Sequence, residues 1–226
     1  MAASPDERLS SQWNAAVEAG AAVALEAATA SPEQPIGIVI LPTSAAAMRS
    51  DATLRRVVAE LQGRGFATIL AELLLPAEAG HGYHSFDIDL LARRIADVAA
   101  RLRRDCAYEG LPVGYFGMSV DAAAIAIAVA VGNCPAHAIV MCNARPELAH
   151  GALPSLQAPT LLIVDRDQPL LDLNRNALTR LGGPGDIALV QNGGRVDSPA
   201  TAARIARLAA DWFATHLRSR DDAAAP

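Results

Sequence analysis

Lysine is missing from this chain of 226 residues, in which all 19 basic residues are arginine. A Schiff-base or pyridoxal-phosphate enzyme needs a lysine amine to trap a carbonyl, and a Walker-type loop needs one on its phosphates. Both chemistries are excluded. Cysteine is scarce as well: Cys106, Cys134 and Cys142 form no Cys-x-x-Cys spacing and read as small buried hydrophobes in a compartment where thiols stay reduced. No basic block exceeds Arg101-Leu-Arg-Arg104, and the formal net charge is −5, so the chain has no electrostatic footprint for nucleic acid or an anionic membrane. The longest apolar run, Ala122 to Val131, falls short of the ~20 residues that a bilayer helix needs. The segment from Met1 to Ser11 has neither a positive n-region nor an apolar h-region, so the expected location is cytoplasmic.

With 52% hydrophobic and 19% charged residues, the chain reads as one soluble globular domain with a single core. The expected limits are a flexible N-terminus over 1–12, the domain over 13–217 and a frayed polar tail over 218–226. Short apolar runs alternate with amphipathic segments, the pattern of a parallel sheet covered by helices on both faces. The runs are Ile36 to Leu41, Phe66 to Leu70, Val113 to Phe116, Ala138 to Cys142, Thr160 to Val164 and Ile187 to Val190. Helical spacing of Leu54, Val57, Val58 and Leu61, of Ile88, Leu91, Ile95, Val98 and Leu102, and of Ile205, Leu208, Trp212 and Phe213 marks three covering helices. Between Trp13 and Ala30, alanine propensity favours a helix while the alternation of residues permits a strand, and periodicity alone leaves both open.

The sharpest local signal is Val113-Gly-Tyr-Phe-Gly-Met-Ser-Val-Asp121, where an apolar strand runs through a short turn into a long apolar helix. This is close to G-x-S-x-G, whose tight turn exposes a serine hydroxyl above the sheet edge. Gly117 and Ser119 fit the pattern, and Asp121 stands where the closing glycine belongs.

Leu111 to Ser119 resembles the corresponding segment of the dienelactone-hydrolase-like group of α/β-hydrolases. Ala158 to Val164 resembles the strand before that group's acid loop, Phe86 to Ala92 one of its helices and Ala206 to Phe213 its closing helix. The resemblance runs from about Ile36 onward and implies a single-domain α/β-hydrolase fold. It also implies that Trp13 to Ala30 forms an N-terminal strand pair. It matches Ser119 to the catalytic nucleophile and Asp167 to the acid that orients a histidine. The histidine position, aligned on Pro199, holds Gly194, and no histidine occurs between His150 and His216. The oxyanion segment reads Leu41-Pro-Thr-Ser-Ala-Ala-Ala47 and lacks the group's glycine.

A serine hydroxyl has little nucleophilic power near neutral pH until a base takes its proton. Removing the histidine from such a unit costs roughly a million-fold in a worked protease series. The expectation is therefore a catalytically impaired protein that binds a small-molecule ligand or a protein partner. The alternative is an active carboxylic-ester hydrolase that uses Ser119 with His81, His84 or His150 as base, because the loops bearing them lie at the same sheet edge. A subunit role in a homo-oligomer or in a complex with an active relative is the third reading. The expected ligand-contacting residues are Thr43, Ser44, Met118, Asp121 and Arg195. Asp121 also reads as a helix-start carboxylate that complements the helix dipole. His137 and His216 read as structural, His81 and His84 lack the further ligands of a metal site, and neither a metal nor a cofactor is expected.

Overall fold

The computed structural model describes residues 17–19, 23–25, 27–44, 51–79, 84–132, 134–149, 151–166, 170–191 and 198–217. An N-terminal pair, β1 (Val17–Ala19) and β2 (Val23–Leu25), forms a small antiparallel sheet of its own. The chain continues through β3 (Ala27–Ala30), β4 (Ile38–Thr43), α1 (Ala52–Gly63), β5 (Ala67–Glu72), α2 (Pro76–Ala79) and α3 (Ile88–Leu102). Then come β6 (Val113–Met118), α4 (Ser119–Ala130), β7 (Ala138–Cys142), β8 (Thr160–Asp165), α5 (Leu170–Leu178), β9 (Gly185–Val190) and α6 (Pro199–His216).

Strands β3 to β9 form one seven-stranded sheet in the order β3-β5-β4-β6-β7-β8-β9. All neighbours are parallel except β3, which pairs antiparallel with β5. The expected N-terminal strand pair is present, and a third strand, β3, is added at the sheet edge. The expected flexible ends at 1–12 and 218–226 lie outside the described residues.

Helices α1 and α6 cover one face, where Leu54, Val57, Leu61, Ile205 and Phe213 pack on Val39, Leu41, Phe116 and Val140. Helices α3 and α4 cover the other, where Leu91, Ile95, Val98 and Ile125 pack on Ile38, Ile40, Tyr115 and Ile139. Each such side chain contributes about 1.5–3 kcal/mol by leaving water. Close approach of α6 to the sheet depends on Gly114, where a Cβ would lie 2.6 Å from Phe213.

Three expectations need correction. Cys134 and Cys142 are buried, but Cys106 is exposed in a short turn after α3 and contributes nothing to the core. The helix expected from Phe86 begins at Ile88, because the Asp87 carboxylate accepts the Leu90 amide 3.0 Å away and caps it there. Phe86, in a preceding 3-10 turn, is 65% exposed. The run Ile187 to Val190 is expected to be covered on both faces, yet in β9 only Val190 is buried and Ile187 to Leu189 are half-buried, because β9 is an edge strand that begins at the exposed Gly185-Asp186.

Sheet order also places the site. After β4 the chain builds β5 on one side, then crosses back to place β6 on the other. Connections leaving β4 and β6 therefore diverge at their carboxyl ends, the place where open α/β sheets bind ligands. Ser44 follows β4 directly, and Ser119 follows β6 directly.

Candidate functional site

Ser119 has a backbone φ of +49°, one of two such values among the described non-glycine residues. An L-residue held there costs about 1–2 kcal/mol, which surrounding contacts must offset. Those contacts are visible. A Cβ at Gly117 would lie 2.5 Å from Ile125 Cδ1 and 2.9 Å from the Ala122 backbone, so only glycine lets strand and helix meet this closely. The Ser119 carbonyl accepts the Arg145 amide at 3.3 Å, which ties the turn to the segment after β7. Ser119 itself is exposed, and no described side chain makes a hydrogen bond with its hydroxyl.

Asp121 lies in the first turn of α4 and is only 4% exposed. Its Oδ2 accepts the Ser44 amide at 3.3 Å, a contact across 77 residues of sequence. Burial pushes the carboxyl up to about 6, against the opposing pull of hydrogen bonds from the Ser44 hydroxyl and amide. Its other oxygen, Oδ1, is buried without a hydrogen-bond partner. The dipole-complementing role expected of it is thus outweighed by desolvation. Asp121 is also misplaced as a base for Ser119, because residues two apart in a helix do not face each other. One is exposed and the other is buried.

The other expected site residues divide by position. Thr43 is buried at the end of β4, and its carbonyl accepts the Leu73 amide at 2.8 Å. Met118 ends β6 opposite Cys142 of β7 and is half-buried beside Ser119. His84 sits in the turn before α3, where its charge helps hold the Glu78 carboxyl low. The main cause of that shift is Arg94, which donates to Glu78 at 2.6 and 2.8 Å and to the Leu73 carbonyl at 2.6 Å. His81, His150, Asp167, Gly194 and Arg195 lie outside the described residues. His137 is structural as expected, its Nδ1 accepting the Val113 amide at 3.1 Å. His216 packs on Trp212 with ring centres 4.2 Å apart.

Two residues of this edge were not singled out in the sequence. Asn143, with φ of +45°, follows β7, and its Oδ1 accepts the Asp165 amide at 2.9 Å, fixing the end of β8. Arg145 braces the Ser119 turn through its amide, and its side chain pairs with Glu147. The available signal was their place, since Asn143-Ala-Arg145 comes directly after a strand that ends at the same edge as Ser119. Among the described residues no group of three or more histidine, cysteine, aspartate or glutamate side chains could hold a metal ion. No described helix is long and apolar enough to cross a membrane.

No protein-family model matches the chain. Among solved structures, a dienelactone hydrolase from Anabaena variabilis superposes with a TM-score of 0.83 at 33% identity, over 89% of this chain and 96% of that one. The chain belongs to the dienelactone-hydrolase-like group of α/β-hydrolases. Est1E from Butyrivibrio proteoclasticus shares the α/β-hydrolase fold, with a TM-score of 0.66 at 11% identity over 85% of this chain and 94% of that one. Two Mycobacterium tuberculosis proteins, whose names propose a phosphoribosyl transferase, are each 40% identical over 82% of this chain. The chain spans 42% of the length of those curated relatives. Within the dienelactone-hydrolase-like group, then, this chain keeps the serine turn and sets a buried carboxylate where the motif has its second glycine.

Proposed function

We propose that this protein is a catalytically impaired member of its group that works by binding a small-molecule ligand at the carboxyl edge of β4 and β6. The observation that carries the proposal is the buried Asp121 carboxylate on the Ser44 amide. Acyl transfer needs backbone donors aimed at the negative charge that develops on the attacked oxygen, and one comes from the loop after the strand that β4 represents. Here the first amide of that loop already serves an acceptor. A carboxylate beside the same position also opposes a second negative charge. Losing one oxyanion donor costs about 10²–10³ in turnover, and loss of the base costs far more. Gly194 in the histidine position supplies that larger loss.

One observation favours the second reading, an active carboxylic-ester hydrolase. Ser119 joins a strand to a helix with a positive φ and an exposed side chain, the geometry that a nucleophile elbow requires. In that case His81, His84 or His150 supplies the base. Hydrolysis of p-nitrophenyl acetate by the wild type and by Ser119→Ala separates the two readings. Equal rates in both proteins support the binding reading. A wild-type rate that disappears in Ser119→Ala overturns it, and variants of the three histidines then identify the base.

A further inference from the structure

Asp121 is more than a poor neighbour for an oxyanion. It is a buried acceptor placed on a donor that a ligand would need, at the switch point of the sheet. The Ser44 amide serves it, and Ser44 is itself buried. The second oxygen, Oδ1, has no partner although the residue is 4% exposed. A buried acceptor left unmade costs about 1–3 kcal/mol, and more when charged. The ionised carboxylate is therefore an ill-satisfied occupant, whereas Oδ1 has room in its bonding to carry a proton.

We propose that the Asp121 carboxylate is a built-in anion that holds the Ser44 amide, and that a small planar oxyanion or carboxylate ligand takes that amide only together with one proton on Asp121. The proposal rests on the binding reading of the preceding section for its ligand site, but its chemistry involves no turnover. No bond is made or broken apart from proton transfer. The proton comes from solvent, goes to Asp121 as the ligand anion enters, and returns to solvent when the ligand leaves. Two carboxylates sharing one donor cannot both stay charged in a site this dry, and protonation of one is the outcome that electrostatics favours.

The charged groups on elements packed against α4 are Asp89, Arg93, Arg94, Asp97 and Arg101 on α3, and Arg145 and Glu147 after β7. None is among the causes of the displacement of the Asp121 carboxyl, which comes from burial and is opposed by Ser44. Arg94 is committed to Glu78, and the Arg145 side chain to Glu147. Asp51 and Asp165 act on Cys142 at the same edge and leave Asp121 unaffected. The proton linkage therefore belongs to this one carboxyl, and its midpoint lies near 6.

The test is an amide NMR titration of the full chain with nitrate, a planar oxyanion that stays ionised throughout. In the wild type without nitrate, the Ser44 amide resonance moves with a midpoint near 6. Nitrate shifts the same resonance at about pH 5 and binds about a hundredfold more weakly at about pH 8, a tenfold loss for each pH unit above the midpoint. In Asp121→Asn, nitrate affinity no longer depends on pH. A Ser44 amide that does not titrate, or nitrate affinity equal at both pH values in the wild type, overturns the proposal. Because the wild-type titration decides it alone, a variant that fails to fold leaves the test intact. A protein that hydrolyses esters through Ser119 would defeat the binding reading and still show or lack this linkage, so the two failures are distinguishable.

Discussion

Replacing Asp121 with asparagine changes the pH dependence of stability by an amount that follows from the structure. The carboxyl sits at about 6 in the folded protein against an ordinary value of 3.8, because burial disfavours its charged form. Each pKa unit corresponds to about 1.4 kcal/mol, so a displacement of roughly two units is worth about 3 kcal/mol. The sign follows from proton counting. Between the two pKa values the folded state holds a proton that the unfolded state has lost, so stability falls as pH rises through that window. The contribution is fully present below 3.8 and is gone once the pH has passed about 6. Asparagine cannot ionise, and its oxygen can still accept the Ser44 amide. Its new N–H donors add a cost of about 1–3 kcal/mol if they stay unpaired, and that cost does not vary with pH. The difference in unfolding free energy, variant minus wild type, therefore becomes more positive by about 3 kcal/mol from about pH 3 to about pH 8. For a domain of this size that change amounts to about 6–12 °C in Tm. Urea unfolding of both proteins across this range measures it. Parallel stability curves would refute the argument, because they would mean that Asp121 does not carry an elevated pKa in the folded state.

Further predictions concern the turn and its neighbours. Gly117→Ala forces a Cβ against Ile125 and the Ala122 backbone and lowers stability by about 1–3 kcal/mol, read as a shifted urea midpoint. Ser119→Gly relieves the strain of a positive φ and raises stability by about 0.5–1 kcal/mol after the extra entropy of glycine is offset; a lower midpoint would show that the serine side chain stabilises the turn. Arg94→Met strips the cation from Glu78, whose carboxyl it holds at about 2, below the ordinary 4.5. The stability given by that pair is present above the ordinary value and is lost as pH falls toward about 2, so wild type and variant should converge in acid and diverge at neutral pH in a thermal melt.

The sheet was legible in the sequence because its inner parallel strands are largely apolar on both faces, a pattern that survives without knowledge of their partners. Strand ends were less legible, and β4 shows why. It runs past Pro42 to Thr43, although proline lacks a ladder donor. Pairing with β6 stops at Ile40, so Pro42 has a ladder on one side only, and no local pattern announces that. The burial expected of Cys106 fails in the same way, because it depends on how the segment after α3 packs. At the site, Ser44 and Asp121 were both picked out as ligand-contacting residues, Ser44 by its place after a strand and Asp121 by its place in the motif. Their mutual contact was invisible, since it joins residues far apart in the chain and exists only because the sheet order sets β4 beside β6. Asn143 and Arg145 escaped notice because their parts are played largely by backbone and turn conformation, which side-chain patterns do not report.

The central claim, that Ser119 is a retained but unactivated serine, is tested most directly by labelling the purified protein with a fluorophosphonate probe. Ser119→Ala runs alongside, with an active serine hydrolase as positive control. The account predicts no labelling of the wild type beside a labelled control. Labelling that vanishes in Ser119→Ala would contradict it, and would mean that a base reaches Ser119 and that the Ser44 amide is free when the probe arrives.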